Sequence, residues 1–254
     1  MIDTHCHLYA EVMAKDIDQI MERAEKAGVS KFYLPAIDSS THEGMMMLEE
    51  NFKGKCFSMI GLHPCSVKGD YIQELEVINK LLSKRNFAAI GETGLDFYWD
   101  TSFKNEQYLA LQHQIELALQ YELPLVLHTR NAMQETIDVI KKYSSTHLRG
   151  IFHCFGGTAE EATQIIDSDF LLGIGGVVTY KKSGLDEVLK NIDLAHIVLE
   201  TDAPYLSPVP YRGKTNESSF MIEVAKRLAE IKKVSVEEVD AITTENAERL
   251  FGKT

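Results

Sequence analysis

Histidines 5, 7, 63, 128 and 153 each fall at or near the end of a short apolar run, and acids stand at the ends of two others. His5 and His7 lie in MIDTHCHL, His63 in GLHP, His128 in HTR and His153 in FHCFGG. Glu92 and Asp96 lie in IGETGLD, and Glu200 and Asp202 in ETDAPYL. On a β-strand, residues i and i+2 share a face, so His5 and His7 are expected to project together, roughly 6–7 Å apart at Cα, with Cys6 pointing away. Burying such groups unpaired is costly, and a shared metal centre satisfies all of them. Mixed imidazole and carboxylate donors suit zinc, manganese, iron, cobalt or nickel, and tolerate magnesium when water completes the shell. One catalytic zinc normally takes three protein ligands and a water. Four histidines and two carboxylates exceed that, so two divalent ions are expected. Glu92, from the middle of the set, could bridge ions roughly 3.5–4 Å apart.

Such groups need a scaffold that gathers distant strand ends. Segments 2–8, 31–37, 56–64, 88–96, 124–130, 149–156, 169–176 and 197–204 read as eight strands. Most are near-continuously apolar before a polar tail, as in parallel strands buried on both faces. They recur about every 30 residues, the size of one βα unit, with amphipathic stretches between them. Ser235 to Glu238 reads as a capping box that opens a final helix ending at Gly252. The pattern predicts an α/β chain, a (β/α)8 TIM barrel forming a single domain over 1–254, with chemistry at the C-terminal strand ends. An open doubly wound sheet would want a glycine-rich phosphate loop after the first strand, and HLYAEV is not one. A metal-free binding barrel would leave the rim histidines unexplained.

Composition narrows the class. The 26 basic residues are outnumbered by 38 acidic ones, a net charge of −12. That field disfavours tight, sequence-tolerant binding to long duplex DNA, so phosphate chemistry would depend on local charge and metal ions. The four cysteines, at 6, 56, 65 and 154, contain no C-x-x-C pair, which suggests reduced thiols and a cytoplasmic location rather than a zinc–cysteine site. No signal peptide and no membrane span are evident. Met45 to Met47 reads as helix packing. A monomer is compatible with the pattern.

In order, MIDTHCHL, GLHP, IGETGLDFY, HTR, FHCFGG and ETDAPYL resemble the TatD-like metal-dependent hydrolases of the amidohydrolase superfamily, from Ile2 to about Phe251. The resemblance implies a TIM barrel with a one- or two-metal centre that hydrolyses nucleic-acid phosphodiesters with magnesium, manganese or zinc. By its pattern His5, His7, Glu92 and Asp202 would hold a first ion, and Glu92, His128 and His153 a second. Two departures stand out. The family's loop after the eighth strand often reads R-G-K-R-N-E-P, whereas here it runs Arg212-Gly213-Lys214-Thr215-Asn216-Glu217-Ser218, losing a basic residue and a proline. Asn131 stands where HTR is often followed by aspartate.

The expected reaction is metal-assisted hydrolysis of a phosphoester. Asp202 would act as general base, and His63, surplus to the ligand count, would donate a proton or hydrogen bond. Asp96 and Glu200 would orient the ligating histidines. Arg130 and Arg212 would fork onto phosphate oxygens. Tyr205, with Phe97, Tyr98 and Trp99, would supply flat surfaces for bases. DNA ends or short oligonucleotides are the expected substrates. The alternative is a deacylase or esterase acting on a small substrate with the same centre.

Overall fold

The computed structural model describes residues 1–252, so the last two positions of the expected 1–254 unit lie outside the described residues. Eight strands alternate with helices: β1 (Ile2–Asp3), β2 (Lys31–Pro35), β3 (Cys56–Met59), β4 (Ile90–Asp96), β5 (Leu125–Arg130), β6 (Gly150–Phe152), β7 (Phe170–Ile174) and β8 (Ile197–Leu199). The helices are α1 (Glu11–Ala14), α2 (Ile17–Lys26), α3 (Ser39–Asn51), α4 (Tyr71–Leu82), α5 (Lys104–Gln120), α6 (Met133–Lys141), α7 (Ala159–Ile166), α8 (Leu185–Leu189), α9 (Met221–Lys232) and α10 (Val236–Phe251). No helix among the described residues is long and apolar enough to cross a membrane.

All strand pairs are parallel, in the orders β1-β2-β3 and β4-β5-β6-β7-β8. Two joints close the ring. Ile60 bridges Ile90 between β3 and β4. Thr4 ties β1 to β8, its amide and hydroxyl both donating to Leu199 O at 3.1 and 2.9 Å. The result is the (β/α)8 barrel.

One apolar cluster draws a residue from each strand segment: Ile2, Tyr33, Met59, Ala89, Val126, Ile151, Leu171 and Val198. Residues from all eight segments can meet only in the lumen. Ala247 and Leu250 of α10 pack against them and close the N-terminal end. A larger cluster seals strands against helices. Ser235 caps α10, its hydroxyl accepting from Glu238 N at 3.1 Å. Met45 is buried and Met47 exposed, as expected of helix packing.

The strands are shorter than the apolar runs suggest, and this changes how the histidines are held. β1 stops at Asp3, so His5 and His7 do not stand on a strand. His63, His153, Glu200 and Asp202 also lie past their strands, whereas Glu92, Asp96 and His128 lie within β4 and β5. The reason is that the polar tails leave the ladder for loop hydrogen bonds. Cys6 N donates to Tyr33 O at 3.1 Å, His7 N to Ala203 O at 2.6 Å, and Asp202 N to His5 O at 2.9 Å. These bonds hold 5–7 against β2 and the loop after β8.

Gly94 pairs with His128 in the β4–β5 register and has φ +139°. A Cβ there would meet His128 O at 2.0 Å. Gly94→Ala is expected to cost about 3 kcal/mol through the left-handed backbone and the clash. Urea unfolding at unchanged m-value measures it, and a loss under about 1 kcal/mol would contradict this packing.

Candidate metal centre

Glu92 is the hub. It is buried, and its two oxygens face different histidines. Oε2 lies 3.2 Å from His5 Nε2 and 3.6 Å from His7 Nε2. Oε1 lies 3.0 Å from His128 Nδ1 and 3.5 Å from both His63 Nε2 and His153 Nε2. Asp202 Oδ1 completes the first side, 3.5 Å from His7 Nε2 and 3.8 Å from His5 Nε2. Asp202 has φ +57°, a left-handed turn that aspartate tolerates. Three triads have donor atoms within 4.8 Å of one another: His5–His7–Glu92, His5–His153–Asp202 and His63–Glu92–His128. All six expected ligands therefore meet, together with His63.

Outer hydrogen bonds decide which ring nitrogens are free. Tyr9 OH donates to Pro35 O at 2.5 Å, so toward His7 Nδ1, 2.8 Å away, it accepts. His7 Nδ1 then carries the proton, and the Nε2 lone pair points at Glu92 and Asp202. His153 Nδ1 lies 3.1 Å from Glu200 Oε1, which also accepts from Cys154 N at 2.7 Å. Nε2 is therefore the His153 nitrogen turned toward Glu92. Asp96 Oδ2 takes His128 Nε2 at 2.9 Å, leaving Nδ1 toward Glu92. His63 is the reverse case. Its Nδ1 accepts from Cys65 N at 3.0 Å, so the neutral ring carries its proton on Nε2.

Three imidazole nitrogens (His7 Nε2, His128 Nδ1 and His153 Nε2) and three carboxylate oxygens thus converge on one small volume. A cation resolves this, and the donor set fits one. The electrostatics agree. Burial would raise Glu92, yet His5, His63 and His153 hold it well below the usual carboxylate range. Asp202 is lowered against burial by His7, His153 and His5. Burial should discharge His153, but Glu200 and Glu92 push it up to about 10. The pocket favours positive charge where divalent cations would sit.

The rim residues divide. Tyr205 is exposed, its ring 6.1 Å from that of His7. Arg130 and Arg212 do not touch the donor cluster. Arg130 lies 3.8 Å over Tyr98, and Arg212 lies 3.9 Å over Tyr180.

One structural residue escaped the sequence reading. Asp3, just before H-x-H, is fully buried and accepts from Thr201 N (3.0 Å), Thr201 Oγ1 (2.6 Å) and Ser218 Oγ (2.6 Å). It staples the end of β1 to the loop that carries Asp202. Its only signal was a carboxylate inside an apolar run. Ser218 is the residue that replaces the usual proline, and the hydroxyl gives Asp3 a partner. Asn216 holds the same loop through Thr201 O and Tyr205 O at 2.8 and 2.6 Å.

A closed parallel barrel with a histidine–carboxylate cluster at its C-terminal mouth defines a metal-dependent hydrolase. This chain belongs to the TatD-related DNase family, which it matches over residues 2–252. It is 37% identical to YabD of Bacillus subtilis, a protein described as an uncharacterized metal-dependent hydrolase, covering 99% of this chain and 98% of that one. It is 30% identical to the 3'-5' ssDNA/RNA exonuclease TatD of Pantoea ananatis, covering 99% of each chain. The crystal structure of YjjV, a TatD homologue of Escherichia coli, superposes with a TM-score of 0.94 at 28% identity, over 100% of this chain and 98% of that one.

Burial raises the Asp3 carboxyl to about 6, against lowering by Ser218 and Thr201. A carboxyl raised in the folded state binds its proton more tightly there, so its contribution to stability is full only below its ordinary value, near pH 4, and is lost as pH rises from there through 6. The stability of the protein relative to Asp3→Asn should therefore fall by about 2–3 kcal/mol between pH 4 and pH 7 in metal-free buffer. Denaturation at both pH values measures it, and a constant difference would refute the assignment.

Proposed function

We propose that this hydrolase cleaves phosphodiester bonds at single-stranded DNA ends or in short oligonucleotides. The observation that carries this is at the rim. Arg130 ends β5 two residues after His128, Arg212 follows Asp202 in the segment after β8, and neither has a carboxylate partner among the described residues, in a chain of net charge −12. Unpaired guanidiniums beside a divalent-cation site suit an anionic substrate.

In this reading His5, His7, Glu92 and Asp202 would hold one ion, and Glu92, His128 and His153 a second, with zinc, manganese or magnesium as candidates. Ions held there would supply Lewis-acid polarisation of phosphoryl oxygens and would lower the pKa of water toward about 7. Asp202 accepts the proton of the attacking water. It suits the task because it is ionised and sits at the edge of the cluster, its side chain 15% exposed where Glu92 is 2%. His63, its Nε2–H fixed by the Cys65 amide, donates to a phosphate oxygen or the leaving oxygen. Glu200 and Asp96 orient His153 and His128. Arg130 and Arg212 grip phosphate through guanidinium edges left free by stacking, and Tyr205 packs against the terminal nucleotide. With four free cysteines, two of them buried, the chain is suited to the reducing cytoplasm as one domain.

Chelation is expected to abolish cleavage of a single-stranded oligonucleotide, and manganese, zinc or magnesium to restore it. Asp202→Asn should lower kcat by about 10²–10⁴-fold with unchanged circular dichroism; an undiminished rate would remove it as base. Arg212→Ala should raise KM for oligonucleotides more than for a small uncharged ester. Hydrolysis of such an ester with none of the oligonucleotide would overturn the nuclease reading in favour of an esterase or deacylase.

A further inference from the structure

We propose that Tyr98 and Trp99, with Arg130, form a subsite that stacks one unpaired base of the substrate strand and holds that nucleotide's phosphate. The proposal rests on the nuclease reading and adds to it a reason for selecting single strands.

Trp99 is 68% exposed and Tyr98 51%. Tryptophan is highly buried on average, so two adjacent aromatic rings offered to solvent at the mouth of a site need a reason. They are not loosely placed. The amides of Tyr98 and Trp99 both donate to Asp96 Oδ1, at 2.9 and 3.2 Å. The other oxygen of that carboxylate meets His128 Nε2 at 2.9 Å. Asp96 is itself gripped by Gln107, which accepts from Asp96 N at 2.9 Å and donates to Asp96 O at 3.1 Å. One buried carboxylate therefore positions a histidine of the centre and the backbone of the aromatic pair. The rings meet edge to face, with centroids 4.9 Å apart and planes at 87°. This leaves ring surface free.

Arg130 supplies the charge. It ends β5 two residues after His128, and its guanidinium carbon lies 3.8 Å from the Tyr98 ring and 5.1 Å from the Trp99 ring. A guanidinium lying on a ring keeps its in-plane N–H groups for an acceptor. Arg130 also lines a cavity of about 430 Å³ with Asn131, Cys154, Gly156 and Gly157. Cys154 follows His153, so Arg130 borders both a groove beside the centre and the aromatic pair.

A ligand for this arrangement must offer a flat π-face and a negative charge close together. Each residue of a single strand offers both, whereas a duplex stacks its faces internally. Base–aromatic stacking is tolerant of base identity, which suits an enzyme that moves along a strand.

Trp99 is the sole tryptophan of the chain, so its emission reads the subsite directly. In magnesium buffer, a short single-stranded phosphorothioate oligonucleotide should quench Trp99 in parallel with the anisotropy of a labelled strand. Binding by anisotropy with unchanged emission would overturn the subsite. The enzyme should also prefer a normal strand to one built of abasic sites by about tenfold in KM. Trp99→Ala should erase that preference, and Trp99→Phe should keep much of it. Equal KM values for normal and abasic strands in the unaltered enzyme would overturn the subsite and leave the nuclease reading intact. Hydrolysis of neither strand would overturn both.

Discussion

Everything at the mouth of the barrel depends on one buried carboxylate kept ionised by imidazoles. Glu92 sits where desolvation should neutralise it, and four histidine nitrogens within 3.5 Å of its oxygens prevent that. The attraction draws on histidines up to 87 residues from Glu92 in sequence. Without cations the arrangement is costly, because ring lone pairs and carboxylate oxygens face one another in a dry interior. The same geometry becomes favourable once positive charge occupies the centre. The barrel therefore stores a preference for divalent ions in the placement of β4.

Around this hub four of the five histidines have a neighbour that settles which nitrogen is free, His5 Nδ1 having none among the described residues. Glu200 does so for His153, Asp96 for His128, and Tyr9 through Pro35 for His7. The Cys65 amide does the opposite for His63 and turns it into a donor. A single ring type thereby serves two roles, set by hydrogen bonds one layer out. Gly173 reflects the same economy of space. A Cβ there would meet Glu200 Oε2 at 2.3 Å, so the residue on β7 must stay small for Glu200 to reach His153.

The excess of acid over base and the phosphate reading are compatible because charge is distributed unevenly. Buried acids are tied up in the centre, and many surface acids pair with lysine or arginine, as Glu217 does with Arg23 at 2.5 Å. Arg130 and Arg212 instead lie on aromatic rings, which spare their hydrogen-bonding edges. On the proposed nuclease reading, a local cationic rim on an acidic body would favour short strands and ends over long duplex, since the body repels what the rim does not hold.

The alternation of apolar runs and amphipathic stretches already determined the barrel, because burial on both sheet faces leaves a continuous apolar signature. The polar endings of those runs likewise determined which residues would gather, since a closed barrel has one mouth. Strand extent was not legible: the runs 2–8 and 197–204 look extended, but backbone bonds such as Asp202 N to His5 O pull their ends out of the ladder. Nor was the Asp3–Thr201–Ser218 staple, whose members lie about two hundred residues apart and meet only because β1 and β8 are neighbours in the closed ring. Residue types and their order along the chain say what chemistry is available. Which nitrogen carries a proton, and which arginine lies on which ring, depends on contacts between residues distant in sequence, and those arise only when the cylinder closes.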